Sequence, residues 1–561
     1  MSILITTIRL LLRLVGNLFR RLGKAPEFVS FTLEDPLPEM APPRPPFPKR
    51  LLSRRKPSLR DLGRQLRHVA GDPRVRGVVL HLRSGGGMPA QLQSLRDLIA
   101  EVRKAGKRVV VWALSYDLST LYVASAADEI LLQPGGIVAP LGLSQSYLFL
   151  ADALERVGLQ GDFVQISPYK TAGDLFTRRE MSEEAREMAT WLIEDLYDQF
   201  VGGIATGRGA TSDEVKALID RGLFCTEDAV EAGLADGIVG EEDLPARLAS
   251  GKKPARIVPY AAARRRLLQP PVSRGRRFVA LLRIAGDIVD GKSAQPPFRP
   301  PFRVPFLFNE RAGDLTVVQQ ARFLARNKRA AALVVHVDSG GGSAAASEAM
   351  SAALRKVAEK KPVVVSMGSV AASGGYYVAT PGARILAQPG TVTGSIGVLA
   401  GKFVDAGLYE RLLVNRKLIS RGEHAQVLSG AQPFSAEERR NLFKMIEHTY
   451  ELFLDRVGSS RSLERDAIDA VGGGRVWTGA QALDRGLVDE LGGLDRAIEC
   501  ALELAKLPGT ARVCEVKAPK NPIAPPATSG ADVLEYALDG LRLVQSRRSL
   551  CLCPLIPWET L

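Results

Sequence analysis

A tandem duplication runs through this chain of 561 residues, and it is the feature that most restricts the fold. The sequence LHLRSGGG at 80–87 matches VHVDSGGG at 335–342, a separation of 255 residues. Blocks at 122–124 and 133–135 keep the same separation from their matches at 377–379 and 388–390. A repeat this long indicates two duplicated domains, because arrays of short repeats have periods of about 20–50 residues.

Each repeat has the pattern of an α/β domain. Apolar runs predict buried strands, and longer amphipathic segments between them predict helices. The predicted strands are 78–82, 109–112, 333–337 and 363–366, and the predicted helices are 90–104 and 345–360. Strands that alternate with helices of this length are joined by crossovers, which predicts parallel sheets covered on both faces.

The composition along the chain divides it into five segments. The predicted segments are an N-terminal helix (1–25), a first repeat (26–262), a basic linker (263–277), a second repeat (278–510), and a Pro/Ala-rich linker with an apolar tail (511–561). A hydrophobic content of 46% is sufficient for two domain cores.

Ser373 lies in the glycine-rich sequence AASGGYY at 371–377, directly after an apolar run. A serine on a sharp turn between a strand and a helix exposes its hydroxyl, and the glycines allow a substrate backbone to approach. Free N–H groups at the start of the following helix can stabilise an oxyanion. The duplication places Leu118 at the matching position of the first repeat, so the first repeat lacks this nucleophile.

A nucleophilic serine needs a base, and the five histidines offer few candidates. His81 and His336 occupy matching positions inside strands, where a structural role is expected. His424 is the histidine candidate in a loop. A buried lysine is the other candidate, because Ser-Lys pairs replace the Ser-His-Asp triad in some hydrolases and burial lowers a lysine pKa.

Three ordered motifs resemble the signal peptide peptidase (protease IV) family, in its long tandem-duplicated form. They are SVAASGGYY at 369–377, TGSIGV at 393–398 and RVWTG at 475–479. The resemblance covers about 27–507 and implies two tandem ClpP/crotonase-like domains of the ββα-spiral type. It also implies a serine endopeptidase that degrades cleaved signal peptides and other apolar peptides at the membrane. A homotetramer is the expected assembly, and no cofactor or metal is expected.

The same resemblance assigns the base. In such proteases the general-base lysine lies in the first repeat, and here the motif PYKTA at 168–172 supplies Lys170. The repeat alignment places Glu423 opposite Lys170, so each repeat keeps one half of a Ser373–Lys170 dyad. The backbone N–H groups of Gly374 and Gly341 are the expected oxyanion donors. Gly340 stands where the family has proline, which removes a fixed φ from this loop.

The N-terminal segment at 3–22 is apolar and helix-prone, but polar residues recur every three to four positions: Arg9, Arg13, Asn17 and Arg20. This stripe predicts a helix that lies in a membrane interface with its arginines toward the lipid headgroups. A tilted signal anchor and a helix packed on the domain are the alternatives. With this family, the expected location is the inner (plasma) membrane, with the catalytic domains on the periplasmic or extracytoplasmic face.

The net charge of +14 arises from 75 Lys and Arg against 61 Asp and Glu. No nucleic-acid recognition motif accompanies the basic runs, so solvated linkers or contact with anionic lipid are favoured over nucleic acid. The five cysteines match neither a disulfide framework nor a zinc site. Cys551 and Cys553 lie in the apolar tail, which we interpret as incidental, with lipidation or redox activity as alternatives.

Two other function classes fit the same fold. A crotonase-like enzyme would act on acyl-CoA substrates, and a catalytically inactive chain would serve as a membrane-associated scaffold. The presence of both Ser373 and Lys170 in their motifs favours the peptidase.

Overall fold

Two β-sheets form the centres of the two repeats in the structure, a computed structural model that describes residues 2–43, 56–83, 85–270, 275–296, 309–516, 536, 538 and 550–553. The predicted linker at 517–529 lies outside these residues. The described strands are β1 (Phe28–Leu33), β2 (Gly77–Leu82), β3 (Arg108–Ala113), β4 (Tyr116–Asp117), β5 (Glu129–Leu132), β6 (Val138–Ala139), β7 (Gln160–Gln165), β8 (Gly237–Ile238), β9 (Ile257–Pro259), β10 (Phe278–Ala285), β11 (Asp287–Val289), β12 (Arg311–Gly313), β13 (Ala330–Ser339), β14 (Gly341–Ser343), β15 (Val363–Ala372), β16 (Arg384–Ala387), β17 (Val392–Gly394), β18 (Leu399–Val404), β19 (Val476–Thr478), β20 (Glu490–Leu491), β21 (Arg512–Glu515) and β22 (Leu550–Leu552).

The described helices connect these strands and cover their faces. They are α1 (Ser2–Leu22), α2 (Leu59–Ala70), α3 (Pro89–Lys104), α4 (Leu118–Ala124), α5 (Ala151–Arg156), α6 (Asp174–Thr177), α7 (Glu183–Arg208), α8 (Ser212–Arg221), α9 (Thr226–Glu231), α10 (Leu244–Arg247), α11 (Tyr260–Ala263), α12 (Asp314–Arg326), α13 (Ala344–Ala358), α14 (Gly374–Ala379), α15 (Ala406–Arg411), α16 (Ala436–Arg461), α17 (Arg465–Val471), α18 (Gly479–Asp484) and α19 (Leu494–Leu504). Short 3₁₀ turns lie at Thr171–Gly173 and Glu241–Asp243.

The central sheets confirm the predicted α/β class with parallel strands. The first sheet has the order β8-β5-β3-β2-β1-β9, and its pairs are parallel. The second has the order β19-β17-β15-β13-β10-β21 with β16 beside β15, and its described pairs are parallel except β17 with β19. The apolar runs of β3 and β13 are buried, as expected for strands covered on both faces.

The duplication is visible in the strand register. Tyr116 of β4 pairs with Val138 of β6, and Ala371 of β15 pairs with Thr393 of β17. Both residues of the second pair lie 255 positions after those of the first. The two repeats therefore share their local geometry, and the position of Leu118 in the first repeat corresponds to that of Ser373 in the second.

A third sheet joins the repeats, with the order β12-β11-β14-β22-β18-β7. Strand β7 of the first repeat pairs antiparallel with β18 of the second, from Gln165 opposite Leu399 to Gln160 opposite Val404. Because Lys170 follows β7 by five residues, this pairing carries it into the second repeat.

Helix α7 of the first repeat packs against β19 of the second and strengthens this junction. Trp191 and Trp477 stack with ring centroids 4.7 Å apart, and the Trp191 indole N–H donates to the Val476 carbonyl at 2.8 Å. The Thr478 hydroxyl donates to Asp195 at 2.5 Å. A stacked aromatic pair of this kind contributes about 0.5–1.5 kcal/mol beyond its buried area.

Helix α1 lies on the first repeat, and polar side chains of this helix point toward the protein rather than toward lipid headgroups as predicted. The Arg13 guanidinium donates to the Pro270 carbonyl at 2.6 Å, and the Asn17 amide donates to the Gln269 carbonyl at 3.1 Å. Arg20 donates to a backbone carbonyl of the same basic segment. Arg13, Asn17 and Arg20 thus face the protein, where they donate to backbone carbonyls, and apolar side chains of the helix are exposed, with Phe19 at 70%.

Candidate active site

Ser373 occupies a sharp turn between a strand and a helix, as predicted. Strand β15 ends at Ala372 and α14 begins at Gly374, so Ser373 alone makes the turn. Its φ of 55° and ψ of −116° lie outside the regions that L-residues favour. Its N–H donates to the Gly394 carbonyl at 2.8 Å, and its carbonyl accepts from Tyr377 at 2.8 Å. These bonds hold the strained backbone in place.

Lys170 reaches the second repeat through a loop fixed by close backbone contacts. Its N–H donates to the Ser167 carbonyl at 3.1 Å, and the Ser167 hydroxyl in turn donates to the Gly473 carbonyl. A Cβ on Gly474, which has a φ of 97°, would lie 2.7 Å from the Lys170 backbone nitrogen. Only a residue without a side chain permits this approach, so Gly474 is a further residue that shapes the site.

The structure brings Lys170 and Ser373 together. The Lys170 ammonium donates to the Ser373 hydroxyl at 2.8 Å, to the Ser395 carbonyl at 2.8 Å and to the Ser395 hydroxyl at 2.9 Å. These three acceptors aim the nitrogen at the serine. Ser395 has a φ of 51°, and it shares with Ser373 a backbone region that side chains rarely adopt.

Burial favours the neutral form of the Lys170 amine, which is the form that can act as a base. The side chains of Lys170 and Ser373 are fully buried. The expectation of an exposed Ser373 hydroxyl is therefore wrong, because neighbouring side chains, including that of Cys551, cover it. Desolvation lowers the pKa of Lys170 to about 8, because the charged form loses its hydration. An amine with this pKa is partly neutral near pH 8 and can accept a proton from the serine hydroxyl.

The two glycines expected to bind the oxyanion lie beside each other. A Cβ on Gly374 would be 3.1 Å from the Gly341 Cα. Gly374 is the first residue of α14, where backbone N–H groups lack intrahelical partners. The Gly341 N–H donates to the Ser339 hydroxyl at 3.1 Å, so in this arrangement it does not point toward Ser373. Its φ of 104° requires glycine.

The histidines lie outside this constellation. His336 is buried in β13 beside the Ser366 hydroxyl at 3.4 Å, and burial lowers its pKa to about 3. His424 is exposed on a loop, as is Glu423, the repeat counterpart of Lys170. Leu118 is buried at the start of α4. In the part of the chain that the structure describes, no cluster of three or more His, Cys, Asp or Glu is placed to hold a metal.

The tail cysteines were interpreted from sequence as incidental, but they lie in the site. Cys551 and Cys553 are buried, and their thiols contact Ser373 and Ser395 respectively. Burial raises the pKa of each thiol to about 11. The sequence signal that would have located them is the alternation Leu-Cys-Leu-Cys at 550–553, which is typical of a strand with two different faces.

Comparison with known proteins gives a consistent result. The sequence profile described as Peptidase family S49 matches residues 101–254 and again 355–508. Serine protease SPPA, chloroplastic, of Arabidopsis thaliana is 32% identical over 488 residues, which cover 85% of this chain and 69% of that protein. Protease 4 of Haemophilus influenzae is 31% identical over 480 residues, with 80% and 73% covered. Protease 4 of Salmonella typhi is 30% identical over 467 residues, with 80% and 72% covered.

The two profile matches lie one in each repeat and include helix α14 behind Ser373. Together with relatives named serine protease SPPA and Protease 4 that are similar over most of the chain, they confirm the predicted resemblance. The chain belongs to peptidase family S49 and is a serine peptidase with two tandem family domains.

Proposed function

We propose that this enzyme hydrolyses peptide bonds with a Ser373–Lys170 dyad, and that its substrates are cleaved signal peptides and other apolar peptides at a membrane. The observation that carries the proposal is the 2.8 Å distance between the Lys170 nitrogen and the Ser373 oxygen in a buried site. The lowered pKa of Lys170 supports the role of general base.

The reaction starts with neutral Lys170, which removes the proton from Ser373 as the serine oxygen attacks the peptide carbonyl carbon. The carbonyl oxygen becomes an oxyanion that accepts a hydrogen bond from the Gly374 N–H. The Gly341 N–H becomes the second donor once it breaks its bond to the Ser339 hydroxyl. Each such donor contributes roughly 10²–10³ in rate. Protonated Lys170 then donates its proton to the leaving amine, and the C–N bond breaks.

The remaining acyl-enzyme is an ester on the Ser373 oxygen. Neutral Lys170 removes a proton from a water molecule, whose oxygen attacks the ester carbonyl. The second tetrahedral intermediate collapses, the Ser373 oxygen recovers a proton from Lys170, and the product leaves as a carboxylic acid that loses its proton to solvent. One base therefore serves both halves of the cycle.

The surroundings of the dyad favour apolar substrates. One wall contains Ala172, Leu399 and Phe403, with Phe163 and Phe176 packed against them. The other is formed by apolar side chains from both repeats: Met188, Leu192, Ala372, Val392 and Val476. An extended peptide with apolar side chains would bury its surface here at roughly 25 cal/mol per Å². A folded protein could not thread its backbone to Ser373.

Helix α1 supports a membrane location. Its docked polar stripe leaves an apolar side exposed, including Leu12 at 68%, Leu18 at 61% and Phe19 at 70%. Among the described residues, no helix has the length and apolar character required to cross a bilayer. We propose that α1 lies in the interface of the inner (plasma) membrane with the catalytic domains on the extracytoplasmic, or periplasmic, face. Protease accessibility in spheroplasts tests the side.

The repeat geometry supports assembly with further copies, which we propose to be a homotetramer of ββα-spiral domains. The junction pairs β7 with β18, and duplication gives each strand a counterpart, near 413–418 and 144–149. Both counterparts are irregular here and expose apolar side chains, with Leu413 at 89% and Leu148 at 68%. Pairing 413–418 of one copy with 144–149 of the next would repeat the junction and close a ring.

The experiment that tests the function measures hydrolysis of casein and of an apolar peptide ester, together with labelling by a fluorophosphonate. Ser373→Ala and Lys170→Met are expected to abolish hydrolysis, and Ser373→Ala abolishes the label. The matched controls are Ser366→Ala and Lys402→Met, because Ser366 and Lys402 are also buried but bond elsewhere. Full activity of Lys170→Met would refute the dyad.

A further inference from the structure

The chain's own C-terminal segment occupies the cleft beside the dyad. Strand β22 inserts between β14 and β18, with Leu552 opposite Gly341 and Leu550 opposite both Ser343 and Leu399. The Cys553 N–H donates to the Gly340 carbonyl at 2.7 Å and extends the antiparallel pairing. Without this strand, the third sheet would have two open edges at the active site.

The side chains of the segment alternate between two surfaces. Cys551 and Cys553 point toward the dyad, with their thiols against Ser373 and Ser395. Leu550 and Leu552 point the other way and are buried in the apolar wall. A bound extended peptide would alternate in the same manner, with small side chains toward the dyad and larger apolar ones toward the wall.

The backbone of the segment also lies where a substrate backbone would lie. A Cβ built on Gly341 would overlap the Cys551 carbonyl oxygen and stand 2.7 Å from the Gly374 nitrogen. The Cys551 carbonyl oxygen therefore lies close to Gly341 and Gly374, the two residues expected to bind the oxyanion. Edge pairing of this kind gives affinity through main-chain hydrogen bonds, and the pockets for alternate side chains give selectivity.

We propose that the segment 550–553 is an internal pseudosubstrate, which fills the substrate cleft and holds the resting enzyme inhibited until an apolar peptide displaces it. This inference rests on the proposed peptidase function. Because the segment belongs to the same chain, it competes with a free peptide as an intramolecular ligand. A weakly binding peptide leaves the enzyme closed, and a peptide with better apolar contacts opens it.

The occupancy is tested by thiol protection in Ser373→Ala, which keeps the full chain and has no hydrolysis to complicate the result. Cys225 is exposed and Cys500 is buried away from the site, so both are internal controls. With a maleimide and mass spectrometry, Cys551 and Cys553 are expected to react about 100-fold more slowly than Cys225. A saturating soluble peptide of alternating leucine and alanine should accelerate both at least about tenfold and leave Cys500 unchanged. Reaction of Cys551 as fast as that of Cys225, or no acceleration by peptide, would overturn the proposal.

Inhibition is tested in the active enzyme, in the full chain, with Leu552→Asp and with Leu550→Asp, each of which places a carboxylate in the apolar wall. Both should raise kcat/KM for the peptide ester about tenfold, because expelling the segment frees the cleft. Leu552→Met keeps the volume and should behave as the unmodified enzyme. Unchanged kcat/KM in both expelled forms, or an intact mass showing the chain cut after Cys551, would refute a pseudosubstrate. If the unmodified enzyme and all of these variants are inactive, but Cys551 and Cys553 are protected from maleimide, the peptidase function is refuted by the result. The binding of segment 550–553 in the cleft is then still supported.

Discussion

The pH dependence of hydrolysis follows from the burial of Lys170. Its pKa is lowered to about 8, from the 10.5 of an ordinary lysine, because the ammonium loses its hydration. At pH 7 about one-tenth of such an amine is neutral, compared with about three in ten thousand for an ordinary lysine, so burial supplies roughly 300-fold more base. In the proposed mechanism, the neutral form of Lys170 is the active one. We therefore expect kcat/KM to rise about tenfold between pH 7 and pH 9 and then level off.

The assay is kcat/KM for a peptide ester from pH 6 to 10, with enzyme stability checked at each pH. Lys402→Met is the matched control, because Lys402 is a buried lysine that donates to the Val427 carbonyl and should leave the rising limb unchanged. In Leu552→Asp, which is expected to expel the tail from the site, water replaces the tail thiols, so the rising limb should move to higher pH. A profile that is flat from pH 7 to 9, or a limb that moves in Lys402→Met, would refute the reasoning.

Three further predictions test the framework around the dyad. The pKa of Lys170 is lower in the folded chain than in the unfolded chain, so the unfolded chain binds more protons between pH 8 and 10.5. The free energy of unfolding of Ser373→Ala, measured in urea against that of the double variant Ser373→Ala with Lys170→Met, should therefore rise by about 2–3 kcal/mol from pH 7 to 10. Gly474→Ala should reduce kcat at least roughly 100-fold, since its Cβ would displace the lysine loop; retention of full activity would show that the loop yields. If residues near 413 form the interface between copies, Leu413→Asp should lower the molar mass in light scattering from that of the ring to that of a single chain. An unchanged molar mass would exclude that interface.

Local signals were sufficient for the elements and for the nucleophile. The apolar runs and helical periodicity predicted β2, β3, β13, β15, α3 and α13. These patterns can be recognised within a short stretch of sequence, because they depend only on the spacing of nearby apolar residues. The turn at Ser373 was predicted for the same reason, since its strand, glycines and helix are contiguous. Lys170 came from resemblance alone, because a lysine in a loop carries no local sign of burial.

Three contacts between residues distant in sequence could not be predicted from these signals. The polar stripe of α1 had no visible partner in sequence, so headgroups were expected where the carbonyls of 265–270 lie. The contribution of Ser395 depends on a lysine 225 residues away. The segment 550–553 appeared to be an incidental tail, because its strand partners lie far back in the chain.

The order of residues was enough to show a duplicated α/β chain of a serine peptidase family with a candidate serine in a glycine turn, since repeats, strands and turns are properties of neighbouring residues. How the two halves combine became visible only in three dimensions. The β7–β18 pairing brings a lysine from one repeat within 2.8 Å of the serine of the other, and it leaves a cleft that the distant C-terminal strand fills. The physical reason is that strand pairing and desolvation depend on which groups meet in space, and contacts between segments hundreds of residues apart leave no periodicity in the chain.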